Sequence, residues 1–217
     1  MGRRFVDQRR RDPYYRAAQR EGLRSRAAFK LVYLDDRFHL LRPGARVLDL
    51  GAAPGGWSVI ALERVGPRGR VVAVDPRPIA RAPGLEVVRA RVGDPSLIER
   101  LGPEPFDVVL SDMSPSISGA YATDHARSVA LVRAAFVLAE RVLAPRGAFA
   151  AKVFAGDMID DLMDEIRPHF AEVVRTKPPA SRAPSSELYV VALGFRDRAP
   201  HGKVPDPLTV PRPASDI

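Results

Sequence analysis

The chain has 217 residues, 46% of them hydrophobic, with a formal net charge of +8 and no cysteine, a balance that suits one domain with a full core. The absence of cysteine excludes disulfides, thiolate metal sites and cysteine nucleophiles, and His39, His125, His169 and His201 are too scattered along the chain to suggest a metal cluster. No apolar run approaches the roughly 18 residues of a membrane span, and the arginine-rich start is not followed by the apolar segment of a secretory signal, so a cytoplasmic location is expected.

The first element is charged. Residues 1–30 hold ten Lys or Arg against three Asp or Glu, which is seven of the eight net positive charges. A basic arm beside a near-neutral domain is the footprint of a polyanionic partner, most simply nucleic acid; a solvated tail that aids solubility is the alternative. Tyr14 and Tyr15 in the arm suit stacking on bases or packing on the domain. From Ser25, a capping residue, Ala27, Leu31, Leu34 and Phe38 recur at helical spacing, and Pro43-Gly44 predicts the helix end. The arm is therefore bounded at 1–24.

A strand at 46–50 follows, and it runs into Gly51-Ala-Ala-Pro-Gly-Gly-Trp57. A buried strand ending in a glycine-rich turn that opens a helix is where α/β proteins bind nucleotides, because glycine turns sharply and lets backbone lie against a ligand. The glycines are Gly51, Gly55 and Gly56, with Ala53 where a dinucleotide fingerprint has its second glycine. An NAD-dependent oxidoreductase is disfavoured, and a nucleoside without a pyrophosphate, such as S-adenosylmethionine, fits better. Further strands are predicted at 70–75, 85–90, 106–112 and 148–154, with a long helix at 124–143 whose Val129, Val132, Phe136, Ala139 and Val142 share one face. Runs at 171–176 and 187–195 read as a closing antiparallel pair. This alternation predicts an α/β doubly wound fold: a seven-stranded, mostly parallel sheet with an antiparallel last strand, helices on both faces and ligands at the carboxyl ends of the strands. The domain spans 25–196. The tail at 197–217 holds five prolines and little apolar periodicity, and reads as disordered or loosely wrapped.

Several charged residues stand out at strand ends. Asp75 closes the second strand, where a carboxylate accepts ribose hydroxyls or caps the turn before Pro76. Trp57 either lines the pocket mouth or belongs to the core. Asp112 opens Asp112-Met-Ser-Pro115, which departs from the Asp/Asn-Pro-Pro-aromatic pattern of nitrogen methylation and is also a turn former. Lys152 sits in Ala150-Ala-Lys-Val-Phe154, where a lysine is costly unless paired or facing a polar cleft; snorkelling to the sheet edge is the alternative. Glu187 and Lys30 read as ordinary charges in isolation.

Taken together, Ser25-Arg-Ala-Ala-Phe-Lys-Leu31, Leu48-Asp-Leu-Gly-Ala-Ala-Pro-Gly-Gly-Trp57, Ser111-Asp-Met-Ser-Pro115, Lys152-Val-Phe154 and Ser181-Arg-Ala-Pro-Ser-Ser-Glu187 resemble, in order, the motifs of the FtsJ/RrmJ family. The resemblance covers about 14–195 and implies a Rossmann-like class I methyltransferase that uses S-adenosylmethionine to methylate ribose 2'-hydroxyls. Bacterial members act on a uridine of large-subunit ribosomal RNA. It further implies a catalytic tetrad at Lys30, Asp112, Lys152 and Glu187, and cofactor contacts at Gly51, Gly55, Gly56, Trp57, Asp75 and Asp112. One departure concerns adenine: Arg91 stands where the family has an aspartate, leaving Asp94, three residues on, or a backbone carbonyl to serve. The implied partner is RNA, expected as ribosomal RNA within a large subunit or its precursor, bound by a monomer with no obligate protein partner and no metal. Transfer RNA and small-molecule acceptors are the rival substrates.

Overall fold

The computed structural model describes residues 27–179 and 186–196. The basic arm with Tyr14 and Tyr15, the Ser25 cap, most of the 181–187 motif and the proline-rich tail lie outside them. The elements are α1 (Ala27–Phe38), β1 (Arg46–Leu50), α2 (Gly56–Val65), β2 (Arg70–Val74), β3 (Leu85–Val88), α3 (Leu97–Leu101), β4 (Phe106–Ser111), α4 (Tyr121–Val142), β5 (Leu143–Phe154), α5 (Ile159–Ile166), a 3₁₀ turn (Arg167–His169), β6 (Phe170–Thr176) and β7 (Glu187–Phe195).

The strands form one sheet in the order β3-β2-β1-β4-β5-β7-β6. Neighbours from β3 to β5 pair in parallel, while β7 runs antiparallel to both β5 and β6. The expected fold is therefore present, and the last strand lies inside the sheet rather than at its edge. Because β1, β2 and β4 are covered on both faces, their sequences read as nearly continuous apolar runs. Alternate residues feed two cores. Leu48, Leu50, Val72 and Phe149 pack beneath α3, α4 and α5; Val47, Val71, Leu110, Ala150 and Tyr189 pack beneath α1 and α2.

Several boundaries differ from the sequence reading, each for a local reason. The first helix stops at Phe38 rather than at Pro43, because His39 adopts φ 52° and the buried Asp35 carboxylate accepts the Leu41 N–H at 2.7 Å. The long helix begins at Tyr121, three residues before Asp124. Asp124 is not its cap; its carboxylate reaches back to the Ser118 N–H and hydroxyl, both at 2.8 Å, and to the Gly119 N–H at 3.1 Å. β5 starts at Leu143, with an irregularity opposite Phe106 to Val108 and Arg146 at φ 65° absorbing what reads as a turn. α5 has no counterpart among the elements expected from sequence, although Ile159, Leu162, Met163 and Ile166 are buried at helical spacing.

Antiparallel insertion of β7 has a direct consequence for the site. The start of β7 lies at the same sheet edge as the ends of β1, β4 and β5. Lys152 is registered opposite Tyr189, and Phe154 opposite Glu187. Paired residues share a face, so Lys152, Tyr189 and Glu187 all lie at the end of the sheet that α1 approaches, Lys152 and Tyr189 on its α1–α2 side.

Candidate active site

At this edge two lysines that would be costly alone are each paired with a carboxylate. Lys30, from the buried side of α1, donates from Nζ to Glu187 Oε2 at 2.5 Å. Lys152 donates from Nζ to the Asp112 main-chain oxygen at 2.9 Å and lies 3.1 Å from Asp112 Oδ1. Both lysines are only 7% exposed, so their polar partners are these carboxylates rather than bulk water. Snorkelling is thereby set aside for Lys152. The four residues named from sequence as a tetrad, contributed by α1, the β4 end, β5 and β7, do come together.

Tyr189, which the sequence does not single out, joins the two pairs. Its hydroxyl donates to Asp112 Oδ1 at 3.0 Å, and its ring lies 6.0 Å from Lys30 Nζ. Burial, then the negative charges of Asp112 and Glu187 and the hydrogen bond itself, push the phenol well above its ordinary range. Tyr189 therefore remains a protonated donor. Asp112 receives both the lysine and the phenol, while one tetrahedral position of Lys152 Nζ is left to meet an incoming oxygen.

The glycine turn supplies the adjoining wall. Gly51 has φ +73°, and a Cβ there would stand 2.6 Å from Met113 Cγ and 2.9 Å from its backbone. Gly55, at φ 110°, precedes the first residue of α2, Gly56. Gly51, Gly56 and Asp112 border a cavity of about 20 Å³ closed by Trp57 and Asp49. Trp57 is mainly a core residue: it is 2% exposed, its Nε1 donates to Ala27 O at 2.8 Å, and it packs on Tyr189 with ring centroids 5.7 Å apart. Both sequence readings of Trp57 thus have a share, with the core dominant.

Asp49 is the other residue missed. It is fully buried; Oδ2 accepts the Ser58 hydroxyl at 2.6 Å, and Oδ1 has no partner among the described residues. Burial pushes its carboxyl up to about 7, with the charges of Asp112 and Asp75 adding to the rise and Ser58 opposing it. A buried, unpartnered carboxylate oxygen beside a small polar cavity calls for a donor, best a cationic one. Its sequence signal is a lone acid within the apolar strand Val47-Leu-Asp-Leu50.

On the other side of Gly51 a cleft of about 420 Å³ runs past Asp75, Arg77, Arg91 and Met113, a volume that suits a nucleoside. Asp75 accepts the Ala53 N–H at 3.0 Å and the Arg77 N–H at 2.8 Å, and the exposed Arg77 guanidinium holds both its oxygens at 3.1 and 3.2 Å. Burial opposes ionisation, but the bonds from Arg77 and Ala53 hold the carboxyl below its usual range. Ribose hydroxyls reaching Asp75 would have to displace the exposed Arg77 side chain. Asp94 does not join the site. Its Oδ1 accepts the Ser96 N–H and hydroxyl, both at 2.9 Å, at the start of α3, so the adenine substitute expected from sequence is diverted to a turn.

Residues 23–195 match the family described as FtsJ-like methyltransferase. The chain belongs to that family. A ribosomal RNA large subunit methyltransferase E of Paramagnetospirillum magneticum is 48% identical over 194 residues, covering 85% of this chain and 79% of the relative. The protein of the same name from Methanocaldococcus jannaschii is 46% identical over 207 residues, covering 90% and 84%. Among solved structures, a Plasmodium falciparum chain described as a putative ribosomal RNA methyltransferase superposes with a TM-score of 0.73 at 26% identity, covering 81% of this chain and all of that one. Among the described residues no helix is long and apolar enough to cross a membrane.

Proposed function

We propose that the chain transfers the methyl group of S-adenosylmethionine to a ribose 2'-hydroxyl of large-subunit ribosomal RNA. The single observation that carries this reading is the pairing of Lys152 with Asp112 and of Lys30 with Glu187 around Tyr189, at the mouth of the glycine-lined cavity. The relatives' names support ribosomal RNA as the acceptor class.

The residues present fit the cofactor. Asp49 and Asp112 carry the negative charge that suits an amino-acid ammonium and a sulfonium, Gly51 and Gly56 leave room for close backbone approach, and Asp75 suits a ribose. When bound, S-adenosylmethionine supplies an electrophilic methyl group. Lys152 turns the remaining tetrahedral position of its Nζ to the acceptor oxygen and holds the ribose in line, which is where most of the rate gain of such a transfer lies. Proton removal from the 2'-hydroxyl falls to the same Lys152 nitrogen as a neutral amine, whose lone pair takes the proton and leaves the ammonium paired with Asp112; Asp112 orients the amine and Tyr189 fixes Asp112. Lys30 and Glu187 form the second pair against which the ribose is positioned. The enzyme acts as a monomer in the cytoplasm, with no obligate protein partner.

The test supplies methyl-labelled cofactor with unmethylated large ribosomal subunits, transfer RNA, capped RNA and a catechol. Label in large-subunit RNA alone is the expected result. Label confined to transfer RNA or to the catechol would reject the acceptor while leaving the cofactor assignment standing.

A further inference from the structure

We propose that Tyr121, with Ile117 four residues before it on the same segment, forms a stacking platform for a nucleobase of the substrate RNA next to the ribose that is methylated. The proposal rests on the RNA-methylating reading above and goes beyond it by assigning a base subsite. Four large hydrophobic residues are strongly exposed among the described residues: Val87, Ile117, Tyr121 and Val137. Val87 lies on the edge strand β3 and Val137 within α4, but Ile117, at 66% exposure, and Tyr121, at 62%, both belong to the segment leading from Asp112 into α4.

Tyr121 is held although it is exposed. Its hydroxyl donates to Ala155 O at 2.6 Å, and its ring lies nearly parallel to His125, 17° apart with centroids at 6.5 Å. His125 is itself buried and fixed: Nε2 accepts the Met158 N–H at 3.1 Å, so Nδ1 carries the proton and donates to Phe154 O at 2.9 Å. Ala155 in turn donates from its N–H to Ser186 O at 2.6 Å, and Ser186 precedes Glu187. The ring is thus tied to the strand ends that carry Lys152 and Glu187. One face rests on His125 and the rest is open to solvent.

The segment before it is also pre-set, by the three bonds that Ser118 and Gly119 make to the Asp124 carboxylate. The Arg127 guanidinium donates to Ser116 O at 3.5 Å, which puts a cation beside Ile117. A rigid, exposed aromatic face, an apolar neighbour and an arginine, continuous with a site that takes a ribose, match a base and its phosphate. An apolar protein partner would leave the arginine without purpose.

Steady-state methylation of unmethylated large subunits, with cofactor affinity measured separately, tests this. Tyr121→Ala should raise KM for the RNA substrate about 5- to 150-fold, the range of one base–aromatic stack, with cofactor Kd unchanged. Tyr121→Phe, which keeps the ring and loses the bond to Ala155, should stay near the parent value. Arg127→Ala should lower the salt slope of RNA binding by about one, whereas Tyr121→Ala should not change it. A benzophenone-bearing residue in place of Tyr121 should crosslink to RNA. An unchanged KM in Tyr121→Ala, an equal loss in Tyr121→Phe, or a crosslink to a ribosomal protein would overturn the platform and leave the RNA-methylating reading intact. Failure of the unsubstituted chain to label RNA would overturn both.

Discussion

Lys152 and Asp49 are charges placed where an apolar strand would otherwise be continuous, and each defines one half of the reaction. Lys152 meets the acceptor. Lys152→Ala should cut transfer by about 10²- to 10⁴-fold, the contribution of a positioned proton acceptor, while cofactor Kd by calorimetry stays within a few-fold; turnover near that of the parent would remove Lys152 from the mechanism. Asp49 meets the cofactor, and its carboxyl near 7 makes binding depend on pH. Below that value the free protein holds a proton that a cationic ligand must expel, so affinity should rise up to tenfold per pH unit towards about 7. It should fall again where an α-amino group loses its charge, at about 7.7–8.0. Asp49→Asn should flatten the acid limb and weaken binding throughout.

The same residue has an opposite effect on stability. Its folded pKa lies above the ordinary carboxylate value, so the folded state binds the extra proton between about pH 4 and 7. Stability of the cofactor-free protein falls across that window and stays reduced above it. Asp49→Asn should therefore melt higher than the parent above pH 7 and be no more stable near pH 4. A variant less stable at both ends would contradict the buried-charge account. The sequence makes Lys152 conspicuous by its apolar neighbours, and the identical signal at Asp49 is masked by the glycines that follow it. Tyr189 is illegible for another reason: a tyrosine in a strand is ordinary until β7 is known to lie beside β5.

At the scale of elements, the site depends on where strands end. β1 and β4 deliver the glycine turn and Asp112, β5 delivers Lys152, and only the reversed direction of β7 brings Glu187 to the same edge. The sequence shows that 171–176 and 187–195 pair, since only a loop separates them, but strand order is a matter of long-range contacts that no local pattern encodes. Local patterns mislead at Asp124 and Asp94 for a shared reason. A short acid side chain satisfies whichever main-chain N–H groups the loop presents, and loop paths are set by tertiary packing. The turn after β1 is different, because its constraint is steric and local. Gly51→Ala forces a Cβ against Met113 at a positive φ, and should cost about 1–3 kcal/mol of stability together with most of the cofactor affinity. A thermal melt and a cofactor titration measure the two losses, and a fully stable variant with parental affinity would show that the turn has room to spare.

Across the whole molecule, the positive charge is concentrated at the N-terminus: residues 1–24 hold eight Arg against three Asp or Glu, five of the eight net positive charges. Removing residues 1–24 should weaken binding to RNA and lower the slope of log affinity against log salt by about 0.7–0.9 for each phosphate that the arm neutralises, with cofactor affinity unchanged. An unaltered slope would make the arm a solvated tail. The acceptor atom is the central claim, and alkali reports it directly. A ribose lacking a free 2'-hydroxyl cannot assist cleavage of its own phosphodiester, so a 2'-O-methylated site survives as an alkali-resistant dinucleotide. With labelled cofactor and unmethylated large subunits, the account predicts label in one such dinucleotide of the large-subunit RNA, and its loss in Lys152→Ala; label released on a base or in single nucleotides would contradict it.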